Sequence, residues 1–282
     1  MFNTKSTLRT LIAGAFLTIA ASAQAAATFT VDPTAHGLAS PIPGFPNSAT
    51  QFQADTLSGV SSARIQRVGN TDQYTSVGWI RYTAFSRSVG DESIDINPLT
   101  SGLGTQYNLY ATFNQTFTCA GGLGIDVSCS IDSINLSLYG DAGVDSTFRN
   151  ASLTADAIVI PQGDQVLLGQ VNGIISGAAG INDLGGAFQN INSNFILTPD
   201  GQAFFIDPDP FYTAAFSAFN NTSSGIVCSP SCEAPDTVAI TQESGITDFN
   251  GLPTEVPEPG SLALMGLGLL GLGAYRRKRL QK

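Results

Sequence analysis

The stretch Tyr107-Asn108-Leu109-Tyr110-Ala111-Thr112-Phe113-Asn114-Gln115-Thr116-Phe117-Thr118-Cys119 alternates with a period of two. Tyr107, Leu109, Ala111, Phe113, Phe117 and Cys119 share one face, and Asn108, Thr112, Asn114, Thr116 and Thr118 the other; Tyr110 and Gln115 break the pattern. Successive strand side chains point to opposite faces, so an alternation this long predicts a long strand with one buried face. Ile134, Leu136 and Leu138 against Ser133, Asn135 and Ser137 repeat it, closed by the turn pair Gly140-Asp141. Residues 79–85, 155–160 and 165–171 are further strand candidates, the last two separated by Pro161-Gln162-Gly163-Asp164. Residues 195–206 read as a hairpin about Pro199-Asp200-Gly201, with Gly201 supplying the positive φ of the turn. Residues 174–187 alone admit a short helix, and their glycines weaken it. Many strands divided by Gly, Asn and Asp turns predict an all-β domain, an antiparallel β-sandwich or jelly roll.

The two ends differ from this middle. Lys5 and Arg9 precede an apolar run at residues 11–21 and the small-residue cleavage site Ala23-Gln24-Ala25, which is the pattern of a signal peptide read by the general secretory machinery. Eleven apolar residues are too few to span a bilayer. At the other end, Val256-Pro257-Glu258-Pro259 leads into residues 261–275, which carry no charge, and then into Arg276, Arg277, Lys278 and Arg279. As a helix that apolar run spans roughly 22 Å, short of the ~30 Å hydrocarbon core. Such a tail enters a bilayer briefly, with the basic stop on the cytoplasmic side and everything before Pro257 outside. Pro257 and Pro259 keep the preceding segment extended and open to a protease. The expected organisation is therefore a signal peptide at 1–25, a secreted β-rich domain at 26–255 and a tail at 256–282. An ordinary tail anchor is the plainer alternative.

Without its ends the chain is strongly acidic. Residues 26–256 hold five basic residues (Arg64, Arg67, Arg81, Arg87 and Arg149) against 21 acids, a net of 5 − 21 = −16. This repels nucleic acid and anionic membrane and offers no phosphate footprint. Divalent cations, or polysaccharide bridged by them, suit it better; solubility alone is the other explanation. Four cysteines in an exported chain predict two disulfides. Local pairing, Cys119-Cys129 and Cys228-Cys232, is the simplest connectivity; the other two stay open, and a C-x3-C metal site is the alternative for the second pair.

Little in the sequence points to catalysis, and no cofactor is called for. His36 is the sole histidine, on a Pro-rich stretch without a Gly-x-Ser-x-Gly elbow, and residues 26–256 lack lysine. A glycosidase needs just two placed carboxylates, so a carbohydrate-active enzyme stays open as an alternative. Asp207-Pro208-Asp209-Pro210 is the densest acidic site and a candidate for Ca²⁺, set against a plain strand-ending turn. Trp79, Tyr82, Phe85, Phe204 and Phe205 read mainly as core. Phe211 and Tyr212, just past the Pro turn, are the better candidates for stacking on sugar rings. A surface of Ser, Thr, Asn and Gln suits hydrogen bonding to glycan.

The Pro-Glu-Pro step, apolar run and basic stop resemble the sorting tail of the PEP-CTERM proteins, bacterial envelope proteins cleaved at that motif by an exosortase. The resemblance implies transient inner-membrane insertion followed by delivery to the cell surface or matrix. Within the β-region, Gly102-Leu103-Gly104 with residues 107–111, Phe195-Ile196-Leu197-Thr198 with Gly201, and residues 204–212 are similar to the flocculation-associated PEP-CTERM proteins. That similarity implies a non-enzymatic role with exopolysaccharide, in floc or biofilm cohesion, and names no catalytic residue. A plain envelope structural protein is the remaining alternative.

Overall fold

The structure, a computed structural model, describes residues 27–90, 92–221 and 223–250. Fifteen strands form among them: β1 (Phe29–Val31), β2 (Phe52–Ala54), β3 (Thr56–Arg67), β4 (Gln73–Val89), β5 (Glu92–Asp95), β6 (Tyr107–Thr118), β7 (Val127–Ala142), β8 (Thr147–Arg149), β9 (Ile158–Ile160), β10 (Gln165–Ile181), β11 (Ala187–Leu197), β12 (Phe205–Asp207), β13 (Ala214–Asn220), β14 (Ile226–Ser229) and β15 (Thr237–Asn250). Two short helices, α1 (Pro98–Ser101) and α2 (Pro199–Phe204), lie in the connections.

The expected sandwich or jelly roll is instead a closed barrel. Strands β3, β4, β6, β7, β10, β11, β13 and β15 each pair antiparallel with the next, and β15 returns to pair with β3. The seam is made by two ladders on β15: Ala214↔Asn250 through Asn220↔Ser244 on one side, Thr56↔Asp248 through Gln66↔Thr237 on the other. Closure leaves these strands no free edge, whereas a sandwich keeps four. An eight-stranded barrel is just wide enough for its inward side chains to fill it. Tyr82, Leu109, Phe113, Ile134, Leu138, Ile191 and Phe249 do so, all buried.

The two breaks in the alternation of β6 have separate causes. Gln115 keeps its parity and points into the lumen, buried. Tyr110 points outward and is buried as well, stacked on Tyr139 at 5.4 Å and edge-on to Phe148 at 5.5 Å. The outer cover is the segment around the β8–β9 hairpin. It seals Trp79, Ala151, Ala157 and Ala239 into a second small core, and the Trp79 indole donates to the Arg149 carbonyl at 2.8 Å. Arg64 donates to the Leu153 carbonyl at 2.9 Å and pairs with Asp156, tying the same segment down.

One mouth is plugged by the three-stranded sheet β12-β1-β2 and an aromatic cluster. Phe29 meets Phe205 at 5.7 Å and Phe249 at 5.4 Å, Phe52 meets Phe85 at 5.0 Å, and Phe195 meets Phe249 at 4.8 Å. The opposite mouth carries the Cys119–Cys129 disulfide across the β6–β7 loop, whose Leu123 amide donates to the Tyr74 hydroxyl at 2.9 Å. Cys228 and Cys232 are also joined, beside β14.

Two local expectations change. Residues 195–206 do not form a hairpin: Pro199 at the first helical position and the Thr198 hydroxyl, which accepts from the Gly201 amide at 3.0 Å, start α2 instead. Residues 174–187 are not helical but complete β10, turn at 182–186 and begin β11. Bulges at Val171/Gly173 and Ile174/Ser176 blur the alternation there.

Candidate functional site

The signal-peptide residues Ala23 and Ala25, the motif Val256, Pro257, Glu258 and Pro259, and the basic stop Arg276, Arg277, Lys278 and Arg279 lie outside the described residues. The glycan and Ca²⁺ candidates fall at the plugged mouth. Phe211 packs on Phe205 and Phe249, each at 5.2 Å, and so joins the aromatic plug. Tyr212 lies at its rim, half-buried, its hydroxyl donating to the Thr28 carbonyl at 2.8 Å. Burial, and then the Asp207 charge, raise its phenol pKa. Asp207 ends β12 and Asp209 follows on the same loop. Among the described residues no group of three or more His, Cys, Asp or Glu side chains is gathered as a cation would need. His36 sits in a short turn and donates to the Asp200 carbonyl at 3.0 Å, latching the loop to α2.

The lumen holds polar groups that the pattern of the sequence did not single out. Glu243 is 6% exposed and accepts from the Ser61 hydroxyl at 2.8 Å. Burial pushes its carboxyl up to about 7, with the Ser61 hydrogen bond pulling the other way. Strict alternation from Ile240 would turn Glu243 outward. A bulge between the two, with Ile240↔Ala63 followed by Glu243↔Ser61, restores it to the inner face. Nearby, the Gln115 amide donates to Gln189 at 2.6 Å. Deeper in, Tyr82 and Ser217 both share hydrogen bonds with the Thr247 hydroxyl, at 3.1 and 2.9 Å. Burial drives the Tyr82 phenol up to about 12. The space beside Glu243 amounts to about 20 Å³, and so does that beside Tyr82. Each takes roughly one water, so the lumen is a packed core with a polar seam.

The outer wall is different. On β6 and β7 the outward residues form registered pairs: Thr112↔Ser137, Asn114↔Asn135 and Thr116↔Ser133. Asn135 donates to Asn114 at 3.2 Å, and Thr116 and Ser133 share a hydrogen bond of 2.7 Å. Each group uses part of its capacity and leaves the rest to solvent. Next to this ladder Val77 and Ile158 are 37% and 43% exposed. Together they bound a groove of about 380 Å³ between the sheet and the β8–β9 hairpin, lined without a charged residue. The polar face of the Tyr107–Cys119 alternation is the signal that pointed here.

Neither the characterised proteins nor the solved structures contain a significant match to this chain. Residues 255–279 match the PEP-CTERM protein-sorting motif, which implies export, membrane-associated sorting through the C-terminal segment and processing by an exosortase.

Proposed function

We propose that the exported barrel is a non-enzymatic matrix protein that contacts neutral stretches of exopolysaccharide and supports floc or biofilm cohesion. The observation that carries this reading is the uncharged groove on β6 and β7. Its amides and hydroxyls can exchange hydrogen bonds with sugar hydroxyls, and Val77 and Ile158 offer an apolar wall to the C–H face of a sugar ring. An acidic protein gains nothing from an anionic chain there, which favours a neutral one. A non-catalytic role is supported by the lumen: the buried carboxyl with the strongly raised pKa, Glu243, faces room for about one water rather than a sugar.

Electrophoresis of the mature protein through gel containing exopolysaccharide from the producing cells tests the reading. Retardation is expected, and the double variant Asn114→Ala/Asn135→Ala should lose most of it while keeping the wild-type melting curve. Free migration of the wild type would reject glycan contact. Normal flocculation in a deletion strain would point to a plain envelope protein, and release of sugar fragments to an enzyme.

A further inference from the structure

Asp141, near the end of β7, is 0% exposed, and among the described residues no hydrogen-bond donor reaches either of its carboxylate oxygens. None of the ion pairs formed by Arg64, Arg67 or His36 includes it. An ionised carboxylate stripped of water and left unpaired is among the least favourable arrangements a protein can hold. A bound cation would supply the missing partner.

The neighbours of Asp141 indicate which. Asn108 on β6 and Gln165 on β10 stand directly opposite Asp141, so the three side chains leave the outer face of the wall side by side. Tyr110, two residues along β6, stacks on Tyr139 and lies close to Asp141 and to the Ser146 hydroxyl. The Gln165 amide nitrogen is itself buried without a partner, and the buried Ser146 hydroxyl faces the Tyr110 phenol. A turn of the Gln165 amide about its last torsion presents its oxygen in place of its nitrogen. The 143–146 loop is held close, the Gly143 amide donating to the Gln106 carbonyl at 2.8 Å.

We propose that Asp141, Asn108, Gln165 and Ser146 bind a hard divalent cation, Ca²⁺, against the outer wall of the barrel beneath the 143–146 loop. The donors are carboxylate, amide and hydroxyl oxygens, with no sulfur or imidazole to attract a softer metal. Ca²⁺ takes six to eight oxygens in flexible geometry, which suits a set drawn from three strands and a loop better than the rigid octahedron of Mg²⁺. The surrounding charge, −16 over residues 26–256 (5 − 21), concentrates cations at the surface. A single formal charge in the site sets the affinity near the ~10⁻⁴–10⁻³ M of extracellular Ca²⁺ modules. This site is separate from the groove on β6 and β7 and from the acids at Asp207 and Asp209.

The mature protein, freed of metal with EDTA and melted with and without Ca²⁺ at about 10 mM, tests the site. A rise in Tm of roughly 5–10 °C is expected at 100 times Kd, with a smaller rise in Mg²⁺ of equal ionic strength. Tb³⁺ in place of Ca²⁺ should luminesce on excitation of Tyr110 and Tyr139. Asp141→Asn should abolish both effects, and Gln165→Glu, which adds a second carboxylate, should tighten binding about tenfold or more. No Ca²⁺-dependent rise in the wild type, or the same rise in Asp141→Asn, overturns the proposal. So does a Gln165→Glu protein that is destabilised without gaining affinity, since two buried carboxylates with no cation repel. If Asp141→Asn fails to fold, the wild-type Tb³⁺ signal and Gln165→Glu decide.

Discussion

Glu243→Gln should remove one pH-dependent contribution to stability. The folded carboxyl titrates at about 7 against 4.5 in the unfolded chain, because the lumen disfavours its charged form. Between these values the native state binds more protons than the unfolded state, so stability falls as pH rises. The contribution is fully present below about pH 4.5, declines across pH 4.5–7 and is lost above. The separation between 4.5 and about 7, at 1.36 kcal/mol per pH unit, gives about 3 kcal/mol. The amide oxygen of the substituted glutamine would still accept from the Ser61 hydroxyl, and the side chain would carry no charge to bury. The variant should therefore match the wild type near pH 4.5 and exceed it by ~3 kcal/mol at pH 8, roughly 6–12 °C in Tm for a domain of this size. Thermal melts of both proteins by circular dichroism from pH 4 to 8 provide the comparison. Other groups that titrate in the window, such as Asp248, whose pKa burial also raises, are common to both proteins and cancel in the difference. A wild-type-to-variant gap that stays constant with pH would refute the reasoning, as would one that grows towards acid.

Gly245→Ala places a Cβ against the Ala218 carbonyl and the Phe219 ring at the β13–β15 seam; urea unfolding should show a loss of at least 1–3 kcal/mol, about the cost of overpacking. Trp79→Phe removes the hydrogen bond to Arg149, and a loss of about 1 kcal/mol should accompany faster amide exchange over residues 147–160 with the lumen unchanged. Replacing Cys119 and Cys129 together by Ser opens a loop with a sequence separation of 10, for which loop-closure entropy predicts a loss of about 3 kcal/mol in denaturant titrations. Mass spectrometry of secreted protein should find no peptide spanning 276–282, in keeping with processing at Pro257–Pro259.

The strands were legible where a polar face and an apolar face alternate, as along residues 107–119, because period two survives any β architecture. That same generality hid the closure. Sandwich and barrel differ in whether β15 pairs with both β13 and β3, a long-range choice that no local pattern encodes. Glu243 escaped notice because a bulge reverses its parity. Asp141 escaped because Gly140-Asp141 reads as a turn signal, whereas β7 runs through both to Ala142. Residues 174–187 misled through their glycines: Gly180 sits where a Cβ would strike the Val127 carbonyl, so its role is close approach between neighbouring segments rather than helix weakening. In the hydroxyl- and amide-rich groove, sequence supplied the residue types, and the register of β6 on β7 supplied their alignment.

The plug brings the two ends of the described chain together, with Phe29 on β1 in ring contact with Phe249 on β15. Because β15 is also the closing strand, the barrel cannot complete its circuit until residue 250 has crossed the membrane. Only residues 251–256, six in number, then separate the finished wall from Pro257. A cut at Pro257–Pro259 would therefore fall beyond the closing strand, and it would leave the barrel wall whole, with no strand edge exposed by the release.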